Sequence, residues 1–137
     1  MGLFNIFGKK DSIDEIGKRV PFSISTELVP YKLYAKRKSS ASLRVKVANL
    51  TNDVLLTSVV AETPGKIGFD EIGMSKQREI RIGEMQPKEK KEVVFEVFSG
   101  NGSEVGEYTV GLTAIAHYRD YGHVLNAVKR RISIGVV

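Results

Sequence analysis

Apolar and polar residues alternate along most of the chain after residue 21, and a period of two is typical of β-strands with one buried face. The alternation is cleanest over residues 43–47, where Arg44 and Lys46 would point to solvent. Residues 54–61 are apolar almost without interruption, which predicts a more buried strand. Further alternating segments cover residues 22–28, 78–82, 93–97, 108–118 and 128–136. The pattern predicts about seven strands and indicates a two-sheet sandwich or a small barrel. We expect the all-β, antiparallel two-sheet sandwich.

The first twenty residues follow a different pattern. Their apolar residues, mostly at helical spacings, are Leu3, Phe4, Ile6, Phe7, Ile13, Ile16 and Val20. Ser12 and Glu15 have the spacing of a capping box, so a short helix is predicted to begin near residue 12. We expect an amphipathic segment over residues 1–20 and one sandwich domain over residues 21–137. Within that domain Pro30 interrupts the first strand, which suits an edge strand that changes partners.

Composition narrows the class of protein. A chain of 137 residues fits one domain, and it contains no cysteine, so neither a disulfide framework nor a thiolate metal site is available. The absence of cysteine favours a reducing compartment. The N-terminus runs from apolar to basic, opposite to a secretory signal, and Ile6 breaks the myristoylation pattern. We therefore expect a cytoplasmic protein.

One short motif carries a family resemblance. In immunoglobulin-like folds a Gly-x-Tyr at the start of the sixth strand forms a tyrosine corner, whose hydroxyl bonds to nearby backbone. Gly106 and Tyr108 have this spacing, and residues 43–49, 82–87 and 91–95 extend the likeness. Over residues 40–116 the chain resembles prokaryotic immunoglobulin-like modules of the CARDB type.

The resemblance implies an immunoglobulin-like sandwich, with the helical appendage added, and an interaction module. It specifies no ligand, because a fold does not determine a function. Two departures accompany it. Pro87 is followed by Lys88 where the family pattern has glycine, and the cysteine pair and core tryptophan of antibody domains are missing.

The densest polar and aromatic cluster lies on the predicted hairpin between the last two strands. Its residues are His117, Tyr118, Arg119, Asp120, Tyr121 and His123. Variable immunoglobulin domains bind through this loop, and tyrosine and arginine are enriched at interface hot spots. These residues are the predicted binding site. The alternative is an ordinary hairpin whose tyrosines cover the end of the sandwich.

Metal binding and catalysis are less well supported by the sequence. His117, Asp120 and His123 would have to converge across the turn to hold zinc, and no third histidine or cysteine exists to complete a closed site. The chain has no thiol, nucleophile elbow or glycine-rich phosphate loop. The adjacent carboxylates of residues 14–15 and 70–71 are typical of solvated loop and helix charges. We predict no cofactor, no metal and no enzymatic activity.

The net charge of +5 raises the question of an anionic partner, although 21 basic residues are interspersed with 16 acidic ones. Arg44, Lys46, Lys129 and Arg131 could form one basic patch if the second and last strands expose the same face. Only Tyr34 lies near the basic residues 36–38 in the sequence, so few aromatic side chains are available there to stack on the bases of a single-stranded nucleic acid. Arg130 shares the parity of the apolar Val128 and would point inward unless a bulge shifts the register.

The N-terminal segment supplies the other candidate for an anionic surface. Phe4, Phe7, Lys9 and Lys10 could lie on anionic headgroups, or the segment could dock on protein.

Two hypotheses follow from these features. The first is a protein-interaction or scaffolding module that presents the hairpin, the loop over residues 66–77 and the N-terminal segment to a protein partner or a second copy. The second is a binder of membrane headgroups or nucleic acid, with a peripheral membrane location.

Overall fold

The computed structural model describes residues 20–137, which form two β-sheets and contain no helix. The predicted helix near residue 12 and the rest of residues 1–19 lie outside this part. The strands are β1 (Phe22–Val29), β2 (Lys32–Leu33), β3 (Ser39–Asn49), β4 (Leu55–Glu62), β5 (Ile67–Gly68), β6 (Gln77–Met85), β7 (Lys90–Ser99), β8 (Gly106–His117) and β9 (Val124–Val136). The predicted all-β two-sheet sandwich is confirmed. No helix in the described range is long and apolar enough to cross a membrane.

Seven of the nine strands have eight residues or more, in agreement with the predicted number. The two additional strands, β2 and β5, have two residues each. β5 lies in the region predicted as the loop over residues 66–77. Ile67 is fully buried there, and Gln77 already belongs to β6. An isolated apolar pair has no period, so the sequence pattern cannot reveal such a strand.

The four-stranded sheet has the order β1-β3-β7-β5. Its centre is β3, where Leu43, Val45 and Val47 are fully buried while Arg44 and Lys46 are exposed, as the alternation predicts. Antiparallel pairing sets Leu43 opposite Phe95 of β7, and both side chains enter the core.

The five-stranded sheet has the order β2-β9-β8-β4-β6, so β4 and β8 are interior strands. β4 is buried along most of its length, as its continuous apolar run predicts. Its inward face meets that of β8, where Val59 pairs with Ala114 and Ala61 pairs with Leu112. One large cluster of buried apolar side chains therefore forms the hydrophobic core, without a disulfide.

The chain changes sheets at Pro30, as predicted. β1 pairs with β3 in one sheet, and β2 pairs in parallel with Gly135 and Val136 of β9 in the other. Two backbone bonds extend this contact, from Ala35 N to the Val137 carbonyl at 2.8 Å and from Val137 N to the Leu33 carbonyl at 3.0 Å.

Arg130 is exposed, and its side chain links the two sheets at one side of the sandwich. β9 has a bulge between Val124 and Asn126, ahead of Arg130, so Arg130 keeps the parity of Val128. Its guanidinium donates a hydrogen bond of 2.8 Å to the carbonyl oxygen of Ile24 in β1. Parity predicts that the Arg130 side chain points inward. Its positive charge is tolerated there because the guanidinium reaches a backbone carbonyl at the open side of the core.

The corner before β8 is built around Tyr108. Its hydroxyl donates a 2.8 Å hydrogen bond to the carbonyl oxygen of Glu104, four residues upstream. Its ring lies directly against Gly65, where the β-carbon of any other residue would collide with the Tyr108 Cδ1 atom. A side chain at position 65 would force the Tyr108 ring to shift, so glycine is favoured there, and the segment after β4 packs against the start of β8.

Candidate functional site

The hairpin between β8 and β9 is a tight turn at one end of the sandwich. Tyr118 N donates to the His123 carbonyl at 3.1 Å, Asp120 N to the Tyr118 carbonyl at 2.8 Å, and His123 N to the Asp120 carbonyl at 3.2 Å. Arg119 adopts a φ of 70°, a left-handed conformation that a tight reversal needs and that few non-glycine residues adopt. The backbone of the tip is therefore fixed by its own hydrogen bonds.

Asp120 stabilises this turn from within. Its Oδ1 atom accepts hydrogen bonds from the Nδ1 atom of His123 at 2.7 Å and from the backbone N–H of Gly122 at 2.9 Å. The bond from the His123 side chain, followed by that from Gly122, holds the pKa of the Asp120 carboxyl below its ordinary value. Asp120 therefore orders the turn, and its oxygen Oδ1 is already engaged.

His117 is placed differently from the rest of the predicted site. It is buried, and its Nε2 atom lies 2.8 Å from the hydroxyl oxygen of Ser58 in β4. Within residues 20–137 its Nδ1 atom has no hydrogen-bond partner. The ring of Tyr121 packs edge-on against it, with 5.0 Å between centroids. A partner would meet Tyr121 first, so His117 supports the surface from beneath.

Tyr121 lies between His117 and Arg81. The guanidinium carbon of Arg81, on β6, is 4.6 Å from the centre of the tyrosine ring, within cation–π range. The sequence interpretation missed Ser58 and Arg81. Ser58 could have been suspected, because a polar residue inside an apolar run needs a buried partner. Arg81 gave no signal, since its contact depends on the placement of β6 beside β4.

The accessible part of the site is aromatic and aliphatic. Tyr118 is 47% exposed and its ring packs at a tilt against that of His123, with 5.1 Å between the ring centroids. Val124 and Leu125, at the start of β9, are 59% and 60% exposed. The hairpin surface, as we name it, comprises Tyr118, Arg119, Tyr121, His123, Val124 and Leu125.

The buried pair of Ser58 and His117 has the distance of an activated nucleophile and its base. Ser58 is fully buried, however, and a substrate has no access to its hydroxyl in this arrangement. The hydrogen bond satisfies two polar groups within the sheet. Among residues 20–137 no group of three histidine, aspartate or glutamate side chains is placed to hold a metal ion.

The loop before β6 is also ordered by an aspartate. Asp70 Oδ1 accepts hydrogen bonds from Met74 N at 2.7 Å and Ser75 N at 3.1 Å. The backbone bond from Ser75 is the largest cause that lowers the pKa of this carboxyl. Ile72 and Met74 project from the loop into solvent. Asp70 thus caps a loop, which the expectation of a simple solvated charge did not anticipate.

The predicted basic patch is divided between two faces. Arg44 and Lys46 are exposed on the four-stranded sheet, and Lys129 and Arg131 are exposed on the five-stranded sheet. These sheets pack face to face, so the two pairs lie on opposite outer surfaces and the required common face does not form. The sequence interpretation could not exclude it, because the sheet to which a strand belongs is decided by distant pairing. Phe4, Phe7, Lys9 and Lys10 lie outside the described residues.

Carboxylates also compensate part of this charge. Arg44 lies 3.7 Å from Glu27, and Lys129 lies 3.6 Å from Glu62. Next to the second pair is a shallow depression of about 660 Å³, over the position of Gly111. Its lining includes Glu62, Lys129 and Arg131, so its charge is mixed.

A second group of basic residues lies beside two tyrosines, whereas the sequence interpretation counted only Tyr34 there. The guanidinium carbon of Arg37 lies 4.3 Å from the Tyr34 ring centre, and Lys32 Nζ lies 5.4 Å from the centre of Tyr31. Tyr31 is 75% exposed. Residues 28–52 contain six basic residues and no acidic one. We name residues 31–38 the basic–aromatic segment.

Comparison with known proteins shows which fold this chain has. No protein-family model matches the sequence, and no curated protein matches it. A mutant Salmonella alpha-2-macroglobulin superposes on 85% of this chain with a TM-score of 0.60 and 19% identity. Native Escherichia coli alpha-2-macroglobulin does so over 87% with a TM-score of 0.56 and 17% identity. The sporulation control protein Spo0M of Bacillus subtilis matches over 86% with a TM-score of 0.50 and 14% identity.

The matched chains are longer than this one. The likeness covers 7% of each macroglobulin and 50% of Spo0M. At these identities the likeness shows the fold alone, an immunoglobulin-like β-sandwich.

Proposed function

We propose that this chain is a non-catalytic protein-interaction module that binds a protein partner through the hairpin surface. The observation that carries the proposal is the combination of a turn fixed by Asp120 with exposed aromatic and aliphatic side chains around it. Tyr118 and Leu125 offer apolar area, and the tyrosine hydroxyl can also hydrogen-bond. A turn that is already ordered loses little conformational entropy on binding, so more of the contact energy contributes to affinity.

The resemblance to CARDB-type modules supports the same proposal, because those modules are interaction units. The absence of cysteine from all 137 residues supports a cytoplasmic setting for the interaction.

Site-specific photo-crosslinking in cells tests this function. A photoreactive amino acid replaces Tyr118 or Leu125 in one set of proteins, and the control replaces the exposed Ser25 on the outer face of the four-stranded sheet. We expect one discrete protein adduct from positions 118 and 125 and none from position 25. Equal labelling from all three positions, or no adduct from the hairpin, would overturn the proposal.

The adduct then provides the partner for a binding measurement with purified proteins. The double variant Tyr118→Ala/Leu125→Ala is expected to bind it roughly thirtyfold more weakly or worse, because truncated hot-spot side chains cost about 1–2 kcal/mol or more each. A matched double variant, Ser23→Ala/Ser25→Ala, alters an exposed face of the other sheet and is expected to keep the affinity.

A second candidate function is favoured by the basic–aromatic segment. Exposed tyrosines beside cations can bind phosphate-bearing ligands through charge and stacking together. The anionic-surface hypothesis would then apply to the basic–aromatic segment instead of the divided basic patch. The segment is anchored by bonds from Ser99 Oγ to the carbonyls of Tyr34 at 2.8 Å and Arg37 at 3.2 Å, so its side chains have a fixed base.

Retention of two charge-matched variants on a heparin column tests this candidate function. Lys32→Ala/Arg37→Ala and Arg44→Ala/Lys46→Ala each remove two positive charges. If the segment binds phosphates or sulfates, the first variant elutes at clearly lower salt than the second. Equal elution of the two variants would mean that only net charge matters.

A further inference from the structure

One long edge of the five-stranded sheet is open. β8 pairs with β9 from Val124 to Val136. On the other side of β9, the described residues supply only β2, which reaches Gly135 and Val136. Over residues 124–133, which we name the β9 edge, no other strand in the described range continues the sheet. Such an edge presents backbone donors and acceptors that an added strand can use.

The orientation of these backbone groups follows from two hydrogen bonds. Ala127 N donates to the side-chain oxygen of its neighbour Asn126 at 2.8 Å, and Val137 N donates to Leu33 of β2 at 3.0 Å. Both N–H groups point away from β8. Because alternate residues of a strand point their backbone groups to the same side, Lys129, Arg131 and Ser133 share this direction. An incoming strand would meet these groups.

The side chains of the β9 edge change character along its length. Val124 and Leu125 are apolar and exposed, whereas residues 129–131 are three consecutive cations. Arg130 points inward and bonds to Ile24, and Lys129 has one carboxylate neighbour, Glu62. An inward-pointing charge and lysine on an edge strand are features that disfavour pairing with another copy. Antiparallel pairing of two such edges in the register centred on Lys129 would set this lysine opposite its own counterpart, and opposed like charges destabilise a sheet.

We propose that the β9 edge binds an extended peptide segment of a protein partner as an additional strand, with apolar residues beside Val124 and Leu125 and acidic residues beside Lys129 and Arg131. The proposal rests on the proposed function in one respect, since it assumes that the chain binds a protein partner. Backbone hydrogen bonds supply affinity in this mode of recognition, and cross-strand side chains supply specificity. The edge extends roughly 30 Å, at about 3.3 Å per residue.

The experiment uses the full chain, labelled with ¹⁵N, and two synthetic ten-residue peptides. One alternates valine with serine and ends in three glutamates, and the other has lysines in place of the glutamates. We expect the acidic peptide to slow amide exchange at Ala127, Lys129, Arg131 and Ser133 and to leave β1, the edge of the other sheet, unchanged. The lysine peptide is expected to cause no protection.

Two variants at one position test whether the backbone is the contact. Ala127→Pro removes an outward N–H, which donates to the Asn126 side chain in the free chain, without altering any charge; proline is tolerated on the open side of an edge strand. Ala127→Val keeps the N–H. We expect the proline variant to bind the acidic peptide roughly tenfold more weakly, as loss of one hydrogen bond would cause, and the valine variant to bind as the parent does. A circular dichroism spectrum of each variant controls for folding.

The alternative outcomes separate the two proposals. Absence of protection by the acidic peptide, equal protection by the lysine peptide, or equal binding by both Ala127 variants overturns the edge proposal. Protection that is observed only after residues 1–19 are removed also overturns it, because the chain's own segment would then occupy the edge. Crosslinks from position 118 without edge protection leave the hairpin function intact, whereas edge protection without such crosslinks contradicts the hairpin function alone.

Discussion

The Nε2 atom of His117 lies 2.8 Å from the hydroxyl oxygen of Ser58, and this buried bond joins the end of β8 to the middle of β4. The two residues are 59 positions apart in sequence. Above them Tyr121 covers the imidazole and receives the guanidinium of Arg81 on its ring. The orientation of the hairpin surface therefore depends on a polar contact inside the sheet.

The first prediction concerns this bond. Ser58→Ala leaves the buried His117 ring without its partner, and an unsatisfied buried polar group costs about 1–3 kcal/mol. We expect the free energy of unfolding, measured by urea denaturation, to fall by that amount. Ser25→Ala, on the exposed face of β1, is expected to change it by less than about 0.5 kcal/mol. Equal stability of the two variants would show that the bond contributes nothing measurable.

The second prediction separates the two contacts of Tyr108. Tyr108→Phe removes only the hydrogen bond to Glu104, which is solvent-accessible, so a loss of about 0.5–1.5 kcal/mol is expected. Gly65→Ala forces a β-carbon against the ring, and overpacking of this kind costs about 1–3 kcal/mol. Urea denaturation of both variants should rank Gly65→Ala as the more damaging. The reverse order would mean that the ring can move aside without cost.

The third prediction is a pH dependence of the turn. The pKa of Asp120 is lowered from 3.8 by the bond from His123 and then by that from Gly122. A lowered folded-state pKa means that the stabilising contribution is fully present above 3.8 and is lost as the pH falls through the folded-state value. We expect the Gly122 amide resonance in an NMR titration to move with a midpoint below 3.8.

Asp120→Asn serves as the control for that titration, since it removes the ionising group and keeps an oxygen acceptor. Its Gly122 amide should show no such transition. A midpoint of 3.8 or higher in the parent protein would contradict the assigned hydrogen bonds.

The fourth prediction concerns the loop over residues 69–76. A β-carbon on Gly68 would lie 2.6 Å from the backbone of Gly73, which cannot move as a flexible side chain would. We expect Gly68→Ala to lower the free energy of unfolding by about 1–3 kcal/mol and to speed amide exchange at Ser75. Gly102→Ala is the matched control, because its β-carbon would meet no atom within 4 Å. If both variants are equally stable, the loop is less tightly packed than its distances imply.

Much of the fold is predictable from the sequence because its causes are local. A period of two marks six of the seven longer strands, a continuous apolar run marks β4, and Pro30 marks the change of sheet. The hairpin tip is also local, since Asp120 bonds to residues only two and three positions away. These features depend on backbone geometry that nearby side chains determine.

The composition of the candidate site is less predictable because its causes are not local. The residues that orient Tyr121 come from β4, β6 and β8, and their contact requires the strand order of the sheet. The same reason explains why Arg44 and Lys129 could be assigned to one patch although they lie on opposite faces. A strand pattern shows which side chains point outward, but the sheet to which they belong is fixed by long-range pairing.

The parallel contact between β2 and β9 has a mechanical consequence. If a load pulls residue 20 away from residue 137 and first detaches β1 from β3, β2 and β9 are then drawn in opposite directions along their own length. The bonds from Ala35 to Val137 and from Val137 to Leu33 then carry the tension in shear, together, and cannot open one at a time as a zipper does. The rate of unfolding governs resistance to force, so the contact between β2 and β9 would contribute more to the unfolding force of the domain than its small size suggests.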